Sequence, residues 1–132
     1  MDEQQYLEHG LTRTREAARE LAGCADPSIR EVLYSLADRA LEACDDILAA
    51  NRLDLARMPE SDPKYDRLLL NRERLEAITA DLRFVADLPS PVGEILEQRR
   101  LENGLELSKV RVPMGVIAVI FESRPNVTFD VF

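Results

Sequence analysis

The chain has 132 residues, 45% of them hydrophobic and 32% charged, with a formal net charge of −8. That is the length of one modest domain and the composition of a globular protein, not a disordered one. The acidic balance argues against nucleic acid or an anionic membrane surface as partner, because phosphate binding needs clustered Lys and Arg.

No apolar run approaches the ~20 residues that span a bilayer. The opening Met-Asp-Glu-Gln-Gln lacks the apolar core of a signal peptide. A cytoplasmic location, with no membrane partner, is the expectation.

Over residues 3–24, Leu7, Leu11, Ala18, Leu21 and Ala22 recur at helical spacing. Asp26-Pro27 then restarts a helix, with Asp as N-cap and Pro at the first helical position. Ile29, Leu33, Leu36, Ala40, Cys44 and Ile47 follow three or four residues apart, an amphipathic stripe running to about Ala50.

Asp62-Pro63 repeats the start signal. It leads to a short helix through Leu70 and a longer one over residues 72–86. Leu75, Ile78, Leu82 and Val85 share one face of the longer helix. Its charges (Arg72, Glu73, Arg74, Glu76, Asp81, Arg83) read as a solvated face. Pro89-Ser90-Pro91 stops it, closing a helical region over residues 3–88.

Cys24 and Cys44 read as free thiols packing as small hydrophobes, since two cysteines make no disulfide framework in a chain of this kind. His9, the sole histidine, reads as a solvated or partly packed side chain with no second metal ligand beside it.

Past Val92-Gly93 the period changes. Two strands joined through Glu102-Asn103-Gly104 form an expected hairpin over residues 94–112. Leu105 and Leu107 are out of phase with Val110 and Val112, which predicts a bulge near Ser108-Lys109. Then residues 116–121, Val-Ile-Ala-Val-Ile-Phe, are apolar without a break. Such a run suits a strand covered on both faces of a parallel sheet. In open α/β sheets ligands bind at the carboxyl ends of strands, which directs attention to residues 122–126. The plainer reading is a core strand followed by an ordinary loop.

The order Arg-Val-Pro-Met-Gly-Val-Ile-Ala-Val-Ile-Phe-Glu-Ser-Arg-Pro-Asn-Val-Thr over residues 111–128 resembles the signature of the γ-glutamyl phosphate reductase (glutamate-5-semialdehyde dehydrogenase) family of the aldehyde dehydrogenase superfamily. Asp66-Arg67-Leu68, Arg74-Leu75, Ile78, Asp81, Arg83, Pro91-Val92-Gly93 and Gly104-Leu105 fit the same family. Ala118 and Phe121 depart mildly from its usual Gly and Tyr.

The resemblance implies an α/β fold, the N-terminal part of an aldehyde-dehydrogenase-like enzyme. Residues 1–132 would form an incomplete cofactor-binding domain, with helices, then the hairpin, then the first buried parallel strand and its end motif over residues 115–126. It further implies NADPH-dependent reduction of γ-glutamyl phosphate to glutamate 5-semialdehyde in proline biosynthesis. The family's chemistry is covalent: a cysteine thiolate displaces phosphate, and hydride reduces the resulting thioester.

Carried residue by residue, Asn126 matches the superfamily's oxyanion-stabilising amide. Glu122, Ser123, Arg124 and Pro125 match the segment lining the cofactor cleft. Asn126 could instead cap the helix after it, and Arg124 could pair with the acyl phosphate, the substrate carboxylate or Glu122. The hairpin would join subunits of a homo-oligomer.

No cysteine comes after the strand, so the family's nucleophile lies outside these residues. The expectation is a front piece of a longer protein, inactive alone and prone to associate through residues 116–121. The competing reading is a non-catalytic helical module that oligomerises through its hairpin; it leaves Arg124-Pro125-Asn126 unexplained.

Overall fold

In a computed structural model, which describes residues 2–122 and 124–132, helices dominate. α1 spans Glu3–Leu21. Its start is fixed by a reciprocal cap: Asp2 Oδ1 accepts from the Gln5 N–H at 2.7 Å, and the Asp2 N–H donates to Gln5 Oε1 at 3.2 Å. None of its residues is buried. With it belongs a hairpin, β1 (Ile95–Arg100) and β2 (Glu106–Val110), which form one antiparallel pair. α1 and the hairpin fall within one compact unit, Met1–Ala25 with Pro89–Ala118.

The hairpin turns through a three-residue loop. The Leu101 N–H donates to Leu105 O at 2.8 Å, and Gly104 takes the positive φ of 87° that such a loop needs at its last position. The register slips between Ile95 and Glu97, where β2 steps only from Val110 to Lys109. The irregularity expected near Ser108-Lys109 therefore falls at that end of the ladder. The extra residue, Leu96, is carried by β1 and not by β2.

The second unit, Asp26–Leu88 with Val119–Phe132, holds the remaining helices. α2 (Asp26–Glu42) and α3 (Cys44–Leu55) replace the single helix expected from Asp26 to about Ala50. They part at Ala43, whose ψ of 9° leaves the helical range. The Ala43 N–H still donates to Arg39 O, and Ala43 O still accepts from Ile47 N–H, both at 3.0 Å. α4 (Tyr65–Leu68) is one turn, and α5 (Arg72–Asp87) is capped by Asn71, whose side chain accepts from the Arg74 N–H at 2.8 Å. α6 (Val127–Asp130) closes the unit.

α2 packs along α5. Ala37 and Ala40 are buried on α2, and Leu75, Thr79, Leu82 and Ala86 on α5. The α5 stripe thus replaces the expected Ile78 and Val85 with Thr79 and Ala86. Ile78 is half-buried and Val85 exposed.

Ala40, Cys44, Leu70 and Leu75 form the core cluster, with Ile47, Leu48, Ile78 and Phe129 packed against it. Outside it, Arg83 pairs with Asp38, Arg72 with Asp45, and the Tyr34 hydroxyl donates to Asp87 at 2.8 Å. The charges of α5 are thus cross-helix ties as much as a solvated face.

Residues 116–121, expected as a strand buried on both faces within 115–126, carry no regular secondary structure and are exposed, Ile120 at 99%. A parallel strand takes its hydrogen bonds from its neighbours, and the sheet found among the described residues is the two-stranded hairpin. Residues 1–132 divide into two compact units.

Candidate active site

The segment carrying Asn126 is anchored through α6, the helical turn on its C-terminal side. Phe129 of α6 packs against the core cluster. Backbone bonds tighten the turn before it: Val127 N–H donates to Arg124 O at 3.1 Å, Thr128 N–H to Pro125 O at 3.2 Å, and Phe129 N–H to Asn126 O at 2.9 Å. Asn126 precedes α6 in a helical conformation and its side chain makes no capping bond. The capping role weighed for it is therefore not taken up, and its amide is left for other work.

Arg124 and Asn126 line an open cleft of about 390 Å³. Opposite them stand Asp66, Arg67, Leu69 and Leu70 from α4 and its exit, and Arg74, Ala77, Ile78 and Asp81 from α5. The α5 residues recur at positions i, i+3, i+4 and i+7, one face of the helix. Pro125 is half-buried in the turn, and Glu122 is exposed, 3.8 Å from Lys64. Glu122 therefore pairs with Lys64 and not with Arg124. Both partners are largely in water, so the pair contributes at most about 1 kcal/mol. Ser123 lies outside the described residues.

The α4 wall of the cleft is fixed from two sides. Arg74 donates through Nη1 to Asp66 O at 2.6 Å and to Leu69 O at 2.8 Å, and through Nη2 to Asp66 Oδ1 at 2.5 Å. Asn51, buried on α3, donates through Nδ2 to Leu68 O and accepts from the Leu70 N–H, both at 2.8 Å. One guanidinium and one carboxamide thus hold the backbone at Asp66, Leu68, Leu69 and Leu70 in a single shape. Sequence reasoning passed over Asn51 and treated Arg74 and Asp81 as solvated. The usable signal was the i, i+3, i+4, i+7 spacing of Arg74, Ala77, Ile78 and Asp81.

Cys44 is buried in the core and Cys24 is exposed at the end of α1, where its thiol donates to Glu20 O at 3.6 Å. Neither lines the cleft. Among the described residues no group of three His, Cys, Asp or Glu side chains is placed to hold a metal ion.

No protein-family profile matches the chain. Individual relatives do. It is 53% identical over 132 residues to the γ-glutamyl phosphate reductase of Chlorobaculum parvum, covering 100% of this chain and 31% of that protein. The reductase of Chlorobium phaeovibrioides is 58% identical over 122 residues, covering 92% of this chain and 29% of that protein.

The chain is related to the N-terminal region of γ-glutamyl phosphate reductase. It spans about a third of the length of these curated relatives. Crystal structures agree in fold. The γ-glutamyl phosphate reductase of Thermotoga maritima superposes with a TM-score of 0.83 at 34% identity, over 91% of this chain and 30% of the other. That of Saccharomyces cerevisiae gives 0.83 at 32% identity, over 91% and 31%. The γ-glutamyl phosphate reductase resemblance of residues 111–128 and of residues 66–83 therefore belongs to a likeness running through nearly the whole chain. Both stretches contribute side chains to the cleft.

Proposed function

We propose that these residues serve an NADPH-dependent reduction of γ-glutamyl phosphate to glutamate 5-semialdehyde, a step of proline biosynthesis carried out in the cytoplasm. The observation that carries the reading is the 53% identity over all 132 residues to a protein of that name. The cleft supports it, because Arg124 brings a guanidinium suited to phosphate oxygens, and Asn126 brings an uncommitted amide.

Asn126 donates its side-chain N–H to the oxygen that becomes negative as the acyl carbon turns tetrahedral. Such a preorganised donor is worth ~3 kcal/mol, about a hundredfold in rate. Its position next to a helical turn anchored by Phe129 keeps the amide from having to reorganise during reaction.

The donor set also fits the phosphates of a dinucleotide. Glu122, Ser123, Arg124 and Pro125 would contribute to holding NADPH, whose bound nicotinamide supplies hydride. The cleft lined by Arg124 and Asn126 is sized for the substrate and would seat only part of the cofactor.

The hairpin joins subunits of a homo-oligomer in this reading. Ile95, Leu96, Leu107 and Val110 leave apolar surface exposed on it, and a lone two-stranded ribbon is marginal in water.

The test is a chimera in which these 132 residues replace the matching segment of the Chlorobaculum parvum enzyme. It should reduce γ-glutamyl phosphate with NADPH at close to the parent rate. Asn126→Ala should lower kcat about a hundredfold with little change in KM. A folded chimera without turnover would end the proposal.

A further inference from the structure

Three charged side chains on the cleft, Arg67, Asp81 and Arg124, belong to none of the ion pairs found among the described residues. Arg74, by contrast, is committed to two carbonyls and a carboxylate. The cleft wall therefore offers one guanidinium and one carboxylate that the fold does not consume, apart from the Arg124 and Asn126 assigned to the reacting end. Arg67 stands on a turn whose backbone is fixed by Arg74 and Asn51, and Asp81 on a face of a 16-residue helix. Neither depends on a loop for its position, which suits recognition more than surface solvation.

We infer that Arg67 and Asp81 form the subsite for the amino-acid end of the substrate. The Arg67 guanidinium takes the α-carboxylate as a planar fork, and the Asp81 carboxylate takes the α-ammonium. Arg74 and Asn51 are positioning residues that hold the Arg67 turn. The inference rests on the proposed reductase function and adds to it a determinant of substrate choice. A wall bearing both signs favours a zwitterion over a plain aldehyde or acyl phosphate, because an uncharged chain gains nothing from either group. A volume of about 390 Å³ lies at the small end of ligand cavities, in keeping with a five-carbon amino acid derivative.

The experiment runs the reverse reaction in the chimera, with phosphate, NADP and either glutamate 5-semialdehyde or butanal. Butanal has the same reacting group and neither the amino nor the carboxylate function. Arg67→Gln and Asp81→Asn should each lower kcat/KM for glutamate 5-semialdehyde 10- to 100-fold more than for butanal, mainly through KM. Arg67→Lys should recover part of the loss. Arg74→Lys keeps the charge but not the two-carbonyl fork, and should raise the same KM.

Equal losses on the two aldehydes, or no change in KM, would overturn the subsite while leaving the proposed function standing on Asn126→Ala. A folded chimera that turns over neither aldehyde would overturn both.

Discussion

Asn51→Ala should be the most damaging single polar substitution in the helical unit that holds the cleft. Its carboxamide accepts from the buried Leu70 N–H and donates to Leu68 O, both at 2.8 Å. Alanine reaches neither. Leaving a buried N–H unpaired costs about 1–3 kcal/mol, and the half-buried Leu68 carbonyl adds about 1 kcal/mol because one face still meets water. The sum, about 2–4 kcal/mol, is a large share of the roughly 5–15 kcal/mol by which domains are stable.

Arg74→Met removes three bonds, yet its side chain is 40% exposed and water replaces part of what is lost, so about 1–2 kcal/mol is expected. Urea unfolding of the chain and of each variant, followed by circular dichroism, gives both numbers directly where m is unchanged. A loss below about 1 kcal/mol for Asn51→Ala, or one smaller than for Arg74→Met, would refute the view that the carboxamide holds the α4 wall.

Hydrogen bonding to the Asp87 carboxylate is the main reason the Tyr34 phenol titrates above its ordinary value of about 10, with desolvation and the Asp87 charge adding to it. The folded state therefore favours the neutral phenol. Its contribution to stability is complete below pH 10 and is lost as pH rises through the raised value. Ultraviolet titration should show Tyr34 ionising above its ordinary value, and Asp87→Ala should lower its midpoint. Of the two thiols, Cys24 should react with a disulfide reagent at once, whereas Cys44, 2% exposed, should react only on unfolding. Two rapid equivalents without denaturant would contradict the core assignment.

The helices were legible because Asp26-Pro27, Asp62-Pro63 and the three- and four-residue spacing are local signals. Asn103-Gly104 marked the hairpin for the same reason. What local pattern missed is set by tertiary contact. Thr79 and Ala86 are buried with Leu75 and Leu82 because the docking of α5 along α2 selects which face of the helix is covered, and Ile78 and Val85 lie to the side of that face. The bulge moved from one strand to the other because phase slip shows only that a ladder is irregular, not which chain carries the extra residue.

The apolar run at 116–121 is a sheet pattern, and a pattern specifies a strand only where a neighbour completes the ladder. Arg124 and Asn126 were singled out through resemblance, and both line the cleft. Their meeting with Arg67, Arg74 and Asp81, some 50 residues earlier, results from the docking of Phe129 on the core.

The Asn51 and Arg74 ties also impose an order in time. Every donor and acceptor that shapes the α4 turn is present once residue 74 has been made, while Arg124 and Asn126 are still to come. At ribosomal rates of roughly 5–20 residues per second, that interval is ~3–10 s. The α4 wall of the cleft can set before Asn126 has been synthesised.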